Sequence, residues 1–525
     1  EDIPLPELDR IVKYHIVQNP WSKNQLRSLD VFGWIDPKDL TNNEPRGYKR
    51  ETLLLDKNRK YGIKGEFRNF RNYISIVDTL SSPWIRNEAT DSRKYAPIFF
   101  KEYFDIYELS SSDYEFYFNR PIESPADMYY VGAKVIGDEV FAENGFVYKI
   151  DRVVEPLKNA YQIMATKEGP NSYKDFLDFI NSFPEFVYDD RKTMLQPGAS
   201  EGLAVDSLFD LSYPNLTFNI NRERTKAPAG TYGLPENVSI RYHHGLIAPT
   251  DAAFNAFVNE YLVGGSRWGS LRNAPQHIKR IIANTYMSIN PIYPSDLSKG
   301  YYNGELDIVK LDQSEIVQKE YGSNTTFIGV KNAIIPRAFK SVTGPIYLQR
   351  GYSRVMNAIE LAGLLPALKR QGQNYMLFVE SDESLRLDSS LVYDEARNRF
   401  SAFMITPGSY QEFGMTQSDL RNLLMNHIGL DQAKGLARKE FIPNMAGNYL
   451  IVDNVTGEVR GTDFTTKGYG GSQIVQEIPK PISNNADNGT TYEINNWFSF
   501  SSTDLYTRIS TNYPRFHNIM RTAGL

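Results

Sequence analysis

The chain has 525 residues, 58 basic against 63 acidic side chains for a net charge of −5, and no cysteine. Its length predicts about three or four domains rather than one core. The missing cysteines exclude disulfides, a thiol nucleophile and thiolate metal sites, and the interspersed charges argue against a nucleic-acid surface. No apolar run approaches the ~20 residues that cross a bilayer. The sequence opens at Glu1 without a basic and apolar leader, so any export signal or lipid anchor is expected outside it.

In chain order, the first element is a helix ending in Ile11, Val12, Tyr14, His15, Ile16 and Val17. An insertion from about residue 40 to 130 follows and holds much of the aromatic content, which totals 34 Tyr, 29 Phe and 5 Trp. Within it Phe100, Tyr103, Phe104 and Tyr107 fall at helical spacing, while Tyr114, Phe116 and Phe118 alternate as on a strand. One reading makes this run a satellite core that folds the insertion onto its domain. The other makes Trp84, Tyr103, Tyr107, Tyr114 and Tyr117 a surface that docks a partner protein or stacks on sugar rings, since interface hot spots favour Trp and Tyr.

Asn144-Gly145 then reads as a tight turn before an alternating strand that reaches Ile150, Asp151 and Pro156. Tyr173 to Phe183 is an amphipathic helix, followed by a second insertion at about 187–241. His243 and His244 come next; neighbours on a strand point to opposite faces, so no shared metal is expected. Gly245 to Phe257 predicts a buried strand, Leu246 to Ala248, closed by Pro249 and run into a helix that Thr250 or Asp251 caps.

These elements recur. The helix with His15 has relatives at Ile281 to Met287 and Leu423 to Ile428, with Thr285 and His427 in the histidine slot. The strand after Asn144-Gly145 returns after Asn324 and after Asn488-Gly489. The helix at Tyr173 returns at Tyr352 to Leu365, where an Ala-Gly pair suits a helix end, and opens again in Leu505 to Leu525. The copies predict repeats at 1–157, 158–347 and 348–503, with 504–525 beginning a fourth. The first repeat lacks its opening helix and its Pro-Thr-Asp copy, which suggests a piece of a longer protein.

With these segments in order, the chain resembles tandem fasciclin-type domains. Ala248 to Phe254 is similar to the family's first signature, Tyr14-His15 to its tyrosine-histidine pair, and Asn144 through Asp151 to its second signature. Repeat three departs with Phe378 to Leu385, which loses the proline and keeps a cap-competent Ser381. The resemblance implies an α+β fold, a β-sandwich wedge with packed helices in each repeat. It also implies an extracellular adhesion or matrix-binding role without catalysis. Large, cysteine-free, Tyr-rich versions look most like surface lipoproteins of Bacteroidota that accompany SusC/SusD-type outer-membrane importers.

A histidine at a repeated position invites a catalytic reading, but neighbouring Ile and Val favour an imidazole bonded to backbone. The acidic cluster Glu380, Asp382, Glu383 and Asp388 lacks a calcium-loop pattern and is expected to dress a helix start. No nucleophile elbow, His-Glu-x-x-His helix or phosphate-binding loop occurs. The expectation is therefore a non-enzyme without metal or cofactor: an accessory lipoprotein binding an importer complex, lipid-anchored at the cell surface or secreted. Adhesion to matrix, polysaccharide or another cell is a second reading, and a glycan-processing site assembled in an insertion is a third.

Overall fold

A computed structural model describes residues 3–18, 21–27, 49–55, 60–63, 76–78, 93–106, 108–183, 185–188, 194, 198, 201–202, 208–221, 243–384, 391–394, 396–406, 409–462, 472–477, 486–495, 497–498 and 505–525. The fold is α+β. Two compact units are present, residues 1–256 with 279–334, and residues 257–278 with 335–525.

In the first unit a five-stranded antiparallel sheet runs in the order Lys49–Leu55, Arg93–Phe99, Tyr129–Tyr130, Ala133–Ala142, Gly145–Ile150. A four-stranded sheet runs Met287–Ser288, His244–Pro249, Thr325–Val330, Ile316–Tyr321. Its second strand lies antiparallel to Met287–Ser288 and parallel to Thr325–Val330. The run that the sequence marks as apolar is buried along all six residues. Gly245 is obligatory there, because a Cβ would collide with the Ile292 side chain. The two insertions share a further sheet, in which Lys60–Ile63 pairs with Leu208–Ser212.

The aromatic run builds the interior. Tyr103, Tyr114 and Tyr117 are buried, and Tyr114 packs edge-on against Phe99 at 5.4 Å. Ser111–Phe118 is a helix, not the strand its alternation suggests. The reason is local: Ser110 and Asp113 form a capping box, with the Ser110 amide donating to Asp113 Oδ2 at 2.8 Å.

The second unit holds a seven-stranded sheet, in the order Ile428–Gly429, Tyr375–Val379, Gly489–Ile494, Ser472–Glu477, Glu458–Arg460, Tyr449–Asp453, Lys439–Pro443. Tyr375–Val379 lies antiparallel to Ile428–Gly429 and parallel to Gly489–Ile494, the same arrangement as around His244–Pro249. The helices Ser353–Leu361 and Gln417–Asn426 pack on each other, and Gly363 at φ +63° ends the first one's turn, as the Ala-Gly pair predicts. Among the described residues no helix is long and apolar enough to cross a membrane.

The Asn-Gly pairs are not uniform turns. In repeat one the two-residue loop is Glu143-Asn144, and Gly145 already pairs with Ala142. Asn488 is a buried bracket: its Oδ1 accepts from Val342 N at 2.8 Å, and its Nδ2 donates to the carbonyls of Leu368 and Arg370. Asn324 does the equivalent job, accepting from Ala160 N and donating to Ile220 O. An amide side chain with one acceptor and one donor end is thus used to tie loop to strand in both repeats.

Candidate functional site

The repeated histidine sits at the C-terminal end of a helix. His15 Nδ1 lies 2.7 Å from Ile11 O, and its Nε2 accepts from Val154 N at 3.2 Å. His427 repeats this with Leu423 O at 2.8 Å and Phe498 N at 2.8 Å. A nitrogen that accepts from an amide carries no proton, so the His427 ring is the neutral form protonated at Nδ1. Burial holds the pKa of His427 down at about 4. These rings clamp a helix end to the segment after a strand, and both nitrogens are occupied by backbone.

The counterpart in repeat two is Tyr286, not Thr285. Ile247 N donates to Tyr286 O as Phe378 N donates to His427 O. Thr285 lies one residue earlier, where its Oγ1 donates to Ile281 O at 2.7 Å. Matching the apolar pair Ile281-Ile282 to Leu423-Leu424 and Asn284 to Asn426 places Thr285 in the slot, one residue short of its structural occupant.

The acidic signature residues also do structural work. Thr250 Oγ1 accepts from Ala253 N and caps its own helix. Asp251 Oδ1 accepts from Asp175 N at 2.8 Å, so its carboxylate caps a different helix, Lys174–Ile180. Asp382 repeats this across repeat three, accepting from Ser353 N at 2.8 Å and Arg354 N at 3.0 Å at the start of Ser353–Leu361. Glu380 is buried, and burial raises its pKa to about 7 despite Arg354 nearby. Asp388 lies outside the described residues.

His243 and His244 face opposite sides of their strand, as expected. His243 stacks on Tyr321 and His244 on Phe218, with ring centroids 4.5 Å apart in each pair. Burial lowers both pKa values, that of His244 to about 3. Among the described residues no group of three His, Asp or Glu could hold a metal.

Of the five residues proposed from sequence as a partner surface, Trp84 and Tyr107 lie outside the described residues. Tyr103, Tyr114 and Tyr117 are interior. Tyr103 Oη meets Tyr293 Oη at 3.2 Å, Tyr114 Oη donates to Val131 O at 3.0 Å, and Tyr117 Oη donates to Ile292 O at 2.6 Å. In this packing their rings offer no surface for a sugar or a protein. Tyr103 and Tyr117 join the insertion of repeat one to the body of repeat two.

An open cleft of about 490 Å³ lies elsewhere in the first unit. One wall is His15, Ile16 and Val17, the other the strand residues Gly145 to Tyr148 and Ile150. Ile98, Met128 and Tyr130 form its apolar floor, and Arg50 lies over the Trp21 ring at 4.8 Å.

No family model and no curated protein matches the chain. Among solved structures, a FAS1 domain pair from the insect cell adhesion molecule fasciclin I is 11% identical, covering 49% of this chain and 88% of that chain at a TM-score of 0.18.

Proposed function

We propose that the chain is a non-catalytic binding and scaffolding protein built from tandem fasciclin-type repeats, with the cleft of repeat one as its binding surface. The observation that carries this reading is how polar groups are distributed. The repeated His, Asn and Asp side chains that could serve chemistry are engaged with backbone, while the open cleft is apolar and bounded by strand backbone. Such a surface suits polypeptide recognition better than turnover of a small polar substrate.

In the finer reading, drawn from the sequence resemblance, the protein is a lipid-anchored surface lipoprotein of Bacteroidota that accompanies a SusC/SusD-type importer. Purification from the native outer membrane in mild detergent tests it. A stoichiometric complex with an importer is the expected result. A chain that purifies alone and hydrolyses a glycan would refute it.

A further inference from the structure

Repeats two and three hold the same strand between the same flanks, and one residue at its end differs in kind. His244 N donates to Asn324 O as Tyr375 N donates to Asn488 O, so Pro249, Thr250 and Asp251 correspond to Glu380, Ser381 and Asp382. The helix caps made by Asp251 and Asp382 share that register. In repeat two the slot is filled by Pro249, buried and uncharged. In repeat three an acid stands in it, and the slot is no wetter, since Glu380 is 2% exposed.

Little around Glu380 compensates a charge. Its Oε2 has no hydrogen-bond partner among the described residues. The side chain lines a cavity of about 10 Å³ with Arg354, Val355, Phe400 and Trp497, at the lower limit of room for one water. The Arg354 guanidinium is engaged elsewhere, Nη2 donating to Ser381 O at 2.7 Å and Nε to Asp382 Oδ1 at 3.4 Å. Glu493, on the neighbouring strand, is a second buried acid and accepts from Tyr352 Oη at 3.0 Å. Burial therefore prevails over the lowering pull of Arg354 and Trp497, and the Glu380 pKa rises to about 7.

The plug beside this acid comes from an insertion. Phe400 is buried, packs on Tyr393 at 4.9 Å, and belongs to the three-stranded sheet Leu391–Asp394, Arg399–Thr406, Ser409–Gly414. That sheet stands in sequence where repeat two has the helix Asp251–Leu262. Its described strands share no ladder with the seven-stranded sheet.

We propose that Glu380 and Phe400 form a proton-governed latch. Protonated, the carboxyl tolerates the narrow cavity and Phe400 stays seated. Ionised, it needs more water than the cavity holds, and the inserted sheet lifts to admit it. The latch belongs to repeat three and stands apart from the binding reading of the cleft. Among the described residues, the charged and titratable groups on the elements packed around the carboxyl are Arg354, Asp382, Glu493 and, behind Trp497 at 4.7 Å, His427. Phe400 and Trp497 bring no charge, and Arg399 beside Phe400 is exposed. His427 titrates at about 4, below the range of the latch. With 4.5 for an open carboxyl and about 7 for the closed one, closure is strongest below pH 4.5, weakens by up to about tenfold per pH unit, and levels off above 7.

Native-state hydrogen exchange of Arg399–Thr406 in the full chain tests this, with Glu380→Gln as the reference at each pH because its amide cannot ionise. At pH 7.5 the wild-type sheet should open by itself, exchanging faster than Tyr375–Val379 and with a small urea slope. Relative to the variant, that opening should become about a hundredfold rarer at pH 4.5. In Phe400→Ala water already reaches the carboxyl, so adding Glu380→Gln should leave its pH dependence unchanged. Exchange at pH 7.5 that matches Tyr375–Val379 in rate and urea slope would overturn the latch. So would a local opening whose ratio to the variant stays within about threefold across that range, or a Phe400→Ala chain that keeps the full pH effect of Glu380.

Discussion

The clamp at His427 makes a quantitative claim about acid. Its Nε2 accepts from the Phe498 amide, so a second proton would set two N–H groups against each other, in a site closed by the Phe498 ring at 4.5 Å and the Trp497 ring at 4.7 Å. The folded pKa of about 4 stands against 6.5 for a free imidazole. Between those values the unfolded chain binds the proton that the folded chain refuses, so stability is full above pH 6.5 and falls as pH drops towards 4. Each pH unit of the gap is worth about 1.4 kcal/mol, so His427 should cost the second unit about 3 kcal/mol between pH 7 and pH 4.

Glu380 titrates in the opposite sense, since its raised pKa makes stability fall as pH rises from 4.5 to about 7. The comparison must therefore be between wild type and His427→Gln at each pH. At pH 7 the glutamine variant should be about 2 kcal/mol less stable, having lost one of two backbone bonds and the ring packing. By pH 4 that difference should vanish or reverse. Native-state hydrogen exchange of the helix Gln417–Asn426 reads this locally. A difference that stays constant within about 0.5 kcal/mol would refute the neutral clamp.

Asp382→Ala removes the acceptor for two amides at the start of Ser353–Leu361, and should destabilise the second unit by about 1–2 kcal/mol in urea unfolding; Asp382→Asn should recover part of this. Gly489→Ala should cost more, about 3 kcal/mol or above, because φ is +138° and a Cβ would strike the Tyr375 carbonyl; circular dichroism melting checks it. Tyr117→Phe should cost about 1–1.5 kcal/mol by leaving Ile292 O without its hydroxyl donor, with any importer complex retained; loss of the complex at unchanged melting temperature would restore the surface reading.

Much of the fold was legible because it rests on local rules. Leu246 to Ala248 ended by Pro249 forms the expected strand, the helix after Thr250 begins where a cap was placed, and Gly363 ends the helix from Ser353. What the sequence hid was partnership at a distance. Period-two alternation at Tyr114 to Phe118 lost to the capping box of Ser110 and Asp113 just ahead of it. The Asn488 side chain looked like a turn former and proved to be a bracket between a strand and two loops. The aromatic insertion looked equally like surface or core, because composition does not say that Ile292 and Tyr293 will lie against it.

Asp251 and Asp382 carry the same lesson of partnership at a distance. Each follows its strand and caps the helix that precedes the strand in sequence, so the carboxylate reports that helix and strand have docked together. Helix amides at an N-terminus are worth satisfying only when the helix is there. The opening helix, the strand and the acid therefore form one unit whose parts stabilise each other.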